Sequence, residues 1–445
     1  ISTHPKDSIY KATVKIKTYT FMEIGNCPEE AKRRLAWTVI KLAENKDMQL
    51  RLNAGSKVSY STDPNNMNFS IHDKIMFMVF ETIAKNTKHL PSKLLDFYNV
   101  AAVLLLSGDF EEIENYKLVA VATGSNCINK IGFKKDGSAI HDSNAVVLAV
   151  RALRSYLFDQ LNEEDGILEA SDCEGYKFKL KDQCKVIMVM NFAPPGCGDI
   201  LVNKEDGTPD SDLCQLRTLA VDDFINCSCQ FKYLPCKSES SVYSDTEKHC
   251  IASPSDKITM LNVAGINGAL LAQFIEPIYI DAFSMSKVGK YYRSINAMKQ
   301  AIYERISDKI YQDLPTPFTL YEPNFRFVSF IGSKSRDNLN DQRISDYSGW
   351  INCWGEETVC EVIKQSRGLA VTDIPEALVS RKDFVSDVEY YSCKAEEARK
   401  VEASLKPSQL SKQSLFKKYK DFSRKIGKTI PDSYFACKDL ADDYH

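Results

Sequence analysis

The chain has 445 residues, of which 44% are hydrophobic and 26% charged, a composition that excludes a disordered or fibrous protein. With 57 basic and 60 acidic residues its formal net charge is -3, so a nucleic-acid surface would have to be a local basic patch. The length predicts two or three domains. The longest apolar runs, such as 100–106, are too short to span a bilayer, and no signal peptide is visible, so we expect no membrane contact.

The cysteines predict a reducing compartment. The 14 cysteines are not densely spaced, as they are in small disulfide-rich secreted domains. This predicts free thiols and a location in the nucleus, or also in the cytoplasm. The group Cys227, Cys229, Cys236 and Cys250 fits no zinc-finger spacing, and buried thiols explain it more simply.

Residues 1–47 have the pattern of two strands followed by a helix. Apolar and polar residues alternate over 10–17, and 19–24 form a second strand pattern. Pro28 then suits the first position of a helix, whose core face begins at Ala31 and Leu35. The polar, turn-rich segment 48–69 predicts a linker.

From about residue 70 onward, strand and helix patterns are mixed. Strands are predicted at 118–122 and 186–191, a helix at about 143–161 between them, and long surface loops at 237–248 and 333–349.

The segment 406–428 carries eight basic residues and one acidic residue, a local net charge of +7. Its apolar residues recur at helical spacing and predict an amphipathic helix. The basic side of that helix is either a solvated face or a surface that contacts a polyanion.

Residues 9–46 resemble the second half of a double-stranded-RNA-binding domain, in 9–14 (IYKATV) and 30–36 (EAKRRLA). The first helix and first strand of that domain are expected to be missing. Such domains grip phosphates with lysines at the start of the last helix. Pro28 and Glu29 occupy the usual basic pair there, so the candidate RNA contacts are Lys15, Lys32 and Arg33.

Residues from about 70 to 445 resemble the deaminase domain of the adenosine deaminases acting on RNA. The resemblance rests on the order and spacing of eight segments: 122–129 (ATGSNCIN), 141–142 (HD), 195–199 (PGCGD), 215–218 (QLRT), 255–258 (SDKI), 265–271 (GINGALL), 274–279 (FIEPIY) and 301–306 (AIYERI). It implies an α+β and α/β chain. A truncated double-stranded-RNA-binding domain (1–47) and a linker (48–69) would precede a cytidine-deaminase-like α/β/α sandwich with a helical C-terminal extension (70–445).

The resemblance also locates a zinc site, and this sequence departs from it. The family's His-x-Glu, which supplies a zinc ligand and the general acid/base, falls on Asn144 and Val146. The first cysteine ligand is kept as Cys197, and the second position is Pro254. We therefore expect no zinc, no catalytic residue and no enzyme activity. A metal site rebuilt from His141, His249 and Cys250 is a weaker alternative.

Other family positions concern RNA and an inositol polyphosphate. The base-flipping position falls on Phe224, and Arg217 and Lys248 match positions that contact phosphate, so all three are candidate RNA contacts. Active members bury inositol hexakisphosphate, which we do not expect here. At the positions that match the inositol hexakisphosphate site, this chain keeps two basic residues, Arg151 and Lys257. At three others the basic residue is replaced by an apolar one: Val150, Met260 and Leu219.

The resemblance implies a double-stranded-RNA-binding, catalytically inactive protein of the nematode kind. It would regulate adenosine-to-inosine editing by an active deaminase paralogue, through RNA binding and heterodimer formation. An alternative is a protein-interaction scaffold with incidental RNA contact, which the acidic total charge favours. A deaminase with a rebuilt site is a third alternative, and the missing general acid/base argues against it.

Overall fold

The computed structural model describes residues 2–6, 9–16, 19–25, 35, 71–90, 94–95, 99–125, 127–128, 134–195, 198, 252–286, 298–304, 314–328, 347–355, 358–374 and 387–428. Within these ranges, no helix is both long enough and apolar enough to cross a membrane.

The N-terminal segment forms a three-stranded antiparallel sheet. The strands are β1 (Ser2–Lys6), β2 (Ile9–Ile16) and β3 (Tyr19–Gly25), in the order β1-β2-β3. The prediction that the first strand would be missing is therefore wrong, because β1 pairs with β2 along its whole length. Its sequence, STHPK, has no apolar alternation, and proline is tolerated on an edge strand, so periodicity gave no signal. Leu35 is helical and buried, as predicted.

The remaining strands lie between residues 100 and 406. In chain order they are β4 (Val100–Ser107), β5 (Tyr116–Thr123), β6 (Leu168–Ala170), β7 (Phe178–Leu180), β8 (Cys184–Met190), β9 (Ala282–Ser286), β10 (Asn324–Val328), β11 (Tyr347–Asn352), β12 (Cys360–Lys364), β13 (Leu369–Val371) and β14 (Leu405–Lys406). All except the β6-β7 hairpin join one mixed sheet, in the order β10-β9-β8-β4-β5-β11-β12-β13-β14. The β8-β9 and β9-β10 pairs are parallel, and the other pairs are antiparallel.

Six α-helices are described beside this sheet. They are α1 (Ile71–Asn86), α2 (Ala145–Gln160), α3 (Pro254–Ala264), α4 (Gly268–Leu271), α5 (Asp387–Ala403) and α6 (Lys412–Lys425). A 3-10 turn covers Ile113–Asn115, and a π-helical turn covers Gln300–Glu304.

The sheet has an apolar core on both faces. Along β4, Ala101 and Val103 pack in one cluster with α2, whereas Ala102 and Leu104 pack in another with α1. Successive side chains of a strand point to opposite faces, so a strand covered on both sides is apolar throughout. This arrangement confirms the predicted helix-sheet-helix layering.

Two predicted elements need correction at their ends. The helix predicted at 143–161 is α2, Ala145–Gln160, because Asn144 is its N-cap. The loop predicted at 333–349 ends earlier, since β11 begins at Tyr347 and pairs with both β5 and β12. Polar Ser348 and Gly349 disguised the start of this buried strand. The loop predicted at 237–248 lies outside the described residues.

Candidate functional site

A glycine after β5 sets the position where α2 begins. The Gly124 backbone oxygen accepts a hydrogen bond of 2.9 Å from the Ala145 nitrogen. Gly124 has φ +148°, and a Cβ there would lie 2.2 Å from the backbone oxygen of Ser143. Only glycine combines this φ with so close an approach. The family segment 122–129 therefore holds the first turn of α2 against the end of the sheet.

Asn144, at the first metal-ligand position, caps α2. Its Oδ1 accepts a hydrogen bond of 3.1 Å from the Val146 nitrogen, and its own backbone nitrogen donates to Asp142 Oδ1 at 2.9 Å. The residue is 1% exposed, and its Nδ2 has no hydrogen-bond partner among the described residues. An asparagine is a favoured N-cap because its side chain satisfies one of the free N–H groups of the first turn.

Val146, at the general acid/base position, is part of the core. It is 1% exposed and belongs to the cluster beneath α2. An isopropyl group carries no proton that could be exchanged with a substrate. Its contribution at this place is the burial of apolar surface.

Pro254, at the second cysteine position, is the first residue of α3. Ser253 precedes it as N-cap, and the Ser253 hydroxyl and the Asp256 carboxylate form a reciprocal capping box. Proline suits this position because its nitrogen has no hydrogen to leave unpaired. Cys197 lies outside the described residues. Its neighbour Gly198 donates from its backbone nitrogen to Ser255 Oγ at 2.9 Å, which places Gly198 against the first turn of α3.

An ion pair joins the starts of α2 and α3. Lys257 Nζ donates to Asp142 Oδ2, and the Asp142 side chain is 9% exposed. Cys127 forms a β-bridge with Asp142. Burial, and then the negative charge of Asp142, raise the pKa of the Cys127 thiol to about 11. The thiol is therefore protonated near neutral pH.

His141, which the alternative metal site requires, contacts the backbone of a neighbouring loop. Its Nε2 lies 2.9 Å from the backbone oxygen of Lys134, to which it donates. His249 and Cys250 lie outside the described residues. Within the part of the chain that is described, no three His, Cys, Asp or Glu side chains are grouped as metal ligands.

The two arginines of α2 donate to backbone oxygens. Arg151 Nη1 donates to Leu410 at 2.8 Å, and burial lowers the pKa of this guanidinium. Arg154 Nε donates to Ile266 at 2.6 Å. Burial, and then the charge of Arg151, lower the pKa of Arg154 to about 10. Arg151 thereby ties α2 to the residues that precede α6.

The apolar replacements at the inositol-polyphosphate positions lie in different environments. Val150 is buried in the cluster beneath α2, whereas Met260 on α3 is 37% exposed. Leu219 lies outside the described residues.

A buried carboxylate that the sequence analysis did not single out contacts the segment before α6. Glu361 on β12 is 9% exposed and accepts hydrogen bonds from three groups. Trp350 Nε1 donates to Oε2 at 2.7 Å, the Ser408 hydroxyl also donates to Oε2, and the Gln409 nitrogen donates to Oε1 at 3.2 Å. These contacts fix the segment before α6 to the sheet. A single charged residue in a strand pattern gives no sequence signal for such a role.

The predicted RNA contacts fall largely outside the described residues. This holds for Lys32, Arg33, Arg217, Phe224 and Lys248. Lys15 lies on β2, where its backbone is paired with that of Thr20. These assignments stay predictions.

Comparison with known proteins gives the family. Residues 120–445 match the adenosine-deaminase (editase) domain. The chain is 26% identical over 273 residues to the double-stranded RNA-specific editase Adar of Drosophila melanogaster, an alignment that covers 57% of this chain and 38% of the fly protein. It is 23% identical over 324 residues to the double-stranded RNA-specific adenosine deaminase of Mus musculus, covering 67% of this chain and 26% of the mouse protein.

A third relative is the double-stranded RNA-specific editase B2 of Mus musculus, 24% identical over 225 residues, which are 47% of this chain and 29% of that protein. The chain thus spans less than half the length of these relatives. The family match, in contrast, covers most of the chain and includes the starts of α2 and α3. This chain belongs to the adenosine-deaminase (editase) domain family.

Proposed function

We propose that this chain is a non-catalytic member of the editase family that binds double-stranded RNA and regulates adenosine-to-inosine editing by an active paralogue. The observation that carries the proposal is the chemistry at the starts of α2 and α3. Asn144 and Pro254 are helix-start residues, and Val146 is a core residue.

Hydrolytic deamination needs a metal-activated water and a group that moves its proton. Val146 has no ionisable group, and loss of general acid/base catalysis alone costs roughly 10²–10⁴-fold in rate. The described neighbours of Val146 offer no obvious substitute, because Asp142 is paired with Lys257 and faces the other helix start.

The residues at the zinc positions do not fit zinc. Tetrahedral zinc takes thiolate, imidazole or carboxylate ligands. The Asn144 amide oxygen already accepts from the Val146 nitrogen, and the Pro254 side chain has no donor atom. Cys197 alone would leave the coordination incomplete. We therefore propose that the protein holds no catalytic zinc.

The described residues do not fit an inositol polyphosphate either. Its several phosphates would need several unengaged cations. Arg151 is hydrogen-bonded to the Leu410 backbone, and Lys257 is paired with Asp142. Both cations are engaged by contacts within the protein, and we propose that the polyanion is not bound.

The proposed ligand follows from the relatives, whose names give double-stranded RNA as what they act on. RNA recognition depends on phosphate contacts by basic side chains, which do not require the zinc site. A chain that keeps the RNA surface and lacks the chemistry would change which adenosines an active paralogue reaches. We place this function in the nucleus, or also in the cytoplasm, with a heterodimer as the acting species.

The first experiment tests binding and chemistry on one substrate. The purified chain is mixed with a 30-base-pair RNA duplex, and complex formation, inosine content and protein-bound zinc are measured, with the fly editase as positive control. We expect a complex whose affinity falls steeply with added salt, no inosine, and far less than one zinc per chain. Inosine formed by this chain alone would overturn the proposal, and so would stoichiometric zinc.

The second experiment tests the partner. The tagged chain is recovered from its own cells with and without ribonuclease, and co-purifying deaminases are identified. We expect both samples to contain a relative with an intact His-x-Glu site, because a heterodimer does not depend on RNA. Recovery only without ribonuclease would reduce the association to shared RNA, and recovery of no deaminase in either sample would contradict the regulatory role.

A further inference from the structure

The outer face of α6 carries three exposed basic side chains. We define this face by Lys417, Lys420 and Arg424, which are spaced three and four residues apart and therefore lie on one side of the helix. All three are exposed. The opposite side of α6 is buried through Leu415, Tyr419 and Phe422.

Other cations of α6 are engaged by the protein itself. Lys418 Nζ donates to Asp159 Oδ1 at 2.6 Å and to the Ser155 backbone oxygen at 3.3 Å. Lys425 Nζ donates to Asn162 Oδ1 at 2.9 Å. These contacts fasten α6 to α2, so the charge of Lys418 and Lys425 has a structural use.

The outer face differs in its partners. Among the described residues, neither Lys417 nor Lys420 has a carboxylate at ion-pair distance, and Lys420 lies over the Phe416 ring, 4.5 Å from its centroid. Among the described residues, Arg424 pairs with Asp421, in an exposed ion pair of 3.1 Å. Such a pair contributes little in water. Like charges three and four residues apart weaken a helix slightly, so helix stability does not explain Lys417 and Lys420.

A neighbouring loop extends the positive charge. The Gln413 nitrogen donates to the Gly137 backbone oxygen at 3.0 Å, which holds the loop 134–138 at the start of α6. Lys134 and Lys135 on this loop are both exposed. The loop also carries the exposed Asp136, so its net charge is +1, in a protein whose total charge is negative.

The chemistry of this face fits a phosphate backbone. Protein-protein sites are centred on aromatic or apolar anchors, and membrane-bound helices bury an apolar side. The exposed residues of α6 are all polar or charged, and its apolar residues are buried or half-buried. From residue 417 to 424 the helix rises about 10 Å, enough to reach roughly three successive phosphates of one strand.

We propose that the outer face of α6, extended by the loop 134–138, contacts the phosphate backbone of double-stranded RNA. This inference rests on the proposed function, since it assigns a surface to the RNA binding proposed above. The surface is separate from the starts of α2 and α3 and from the candidate contacts at Lys32, Arg33, Arg217 and Lys248. It binds by charge and spacing, without reading base sequence.

The test compares two triple variants of the full chain with the same loss of charge. The first is K417Q/K420Q/R424Q. The control, K179Q/K364Q/K400Q, removes three cations that each pair with a glutamate elsewhere on the protein. The dissociation constant for a 30-base-pair RNA duplex is measured at several KCl concentrations, and circular dichroism checks that both variants are folded.

We expect the first variant to bind about tenfold more weakly near physiological salt, with the slope of log Kd against log salt reduced by about 2 to 3, as lost phosphate contacts require. The control should stay within twofold of the wild type. A variant that keeps the charge of this face, K417R/K420R with Arg424 unchanged, should retain binding.

Two results would overturn the assignment. In one, the first triple variant binds the duplex as the control does, with an unchanged salt slope, while the wild type binds well; the proposed function then stands and this surface is wrong. In the other, the first variant no longer binds polyglutamate, a mimic of an acidic protein, but binds the duplex with unchanged affinity. The face would then be assigned to an acidic protein partner. Absence of duplex binding by the wild type would instead overturn the proposed function itself.

Discussion

The start of α2 and the outer face of α6 use polar side chains in opposite ways. At the start of α2, Asn144 and Asp142 are buried and are engaged in a helix cap and an ion pair. On α6, Lys417 and Lys420 are exposed and have no carboxylate partner among the described residues. At the start of α2, the positions of the family's zinc ligand and general acid/base hold residues that stabilise the fold. On the outer face of α6, exposed basic charge lies where the proposed RNA ligand could reach it.

The largest effect should come from Gly124, which holds the start of α2 in place. In Gly124→Ala the new Cβ would meet the Ser143 oxygen at a φ of +148°, and we expect a loss of about 3 to 5 kcal/mol in the free energy of unfolding. Denaturant unfolding followed by tryptophan fluorescence measures it. The control Gly175→Ala also has positive φ but nothing within 4 Å, and should cost about 1 kcal/mol. Equal losses would show that packing at the start of α2 is not tight.

The next effect tests the buried carboxylate that fixes the segment before α6. In Glu361→Gln, an NH₂ group replaces one of the two carboxylate oxygens. In one orientation of the amide this NH₂ faces the donors of Trp350 and Ser408, and in the other it faces the Gln409 nitrogen. We expect a loss of about 1 to 3 kcal/mol in unfolding free energy, measured with urea. Glu169→Gln, at an exposed ion pair with Lys179, should change stability by less than about 0.5 kcal/mol. A Glu361→Gln variant as stable as this control would contradict the role given to Glu361.

A smaller effect sharpens the comparison at Asn144 itself. Asn144→Ala removes the cap of α2 and should cost about 1 kcal/mol, while Asn144→Ser keeps a capping oxygen and should cost less than half of that. Both are measured by thermal unfolding, and RNA affinity should be unchanged in both. A stabilised Asn144→Ala variant would mean that the unpaired Nδ2 costs more than the cap contributes.

The sequence predicted those parts of both regions that depend on local pattern. Asn144 and Pro254 were located through the family resemblance, and the amphipathic α6 by its apolar periodicity. The Asp142–Lys257 pair joins residues 115 positions apart, and Glu361 meets Ser408 across 47. Such contacts depend on how the sheet brings elements together, which periodicity does not encode. Strand β1 was missed because its residues are mostly polar, and backbone pairing with β2 does not require an apolar pattern.

The smallest expected effect tests whether the inward cations of α6 serve stability alone. Lys418 and Asp159 are both partly exposed, 35% and 42% for their side chains, so solvent screening limits their ion pair to about 0.5 kcal/mol. A double-mutant cycle of Lys418→Gln and Asp159→Asn, measured by urea unfolding, should give a coupling energy of that size. Lys418→Gln should also leave duplex RNA affinity within twofold, although it removes the same charge from the same helix as Lys417→Gln. An equal loss of RNA affinity in both single variants would show that the whole helix acts through its total charge, and the distinction between its inner and outer cations would then fail.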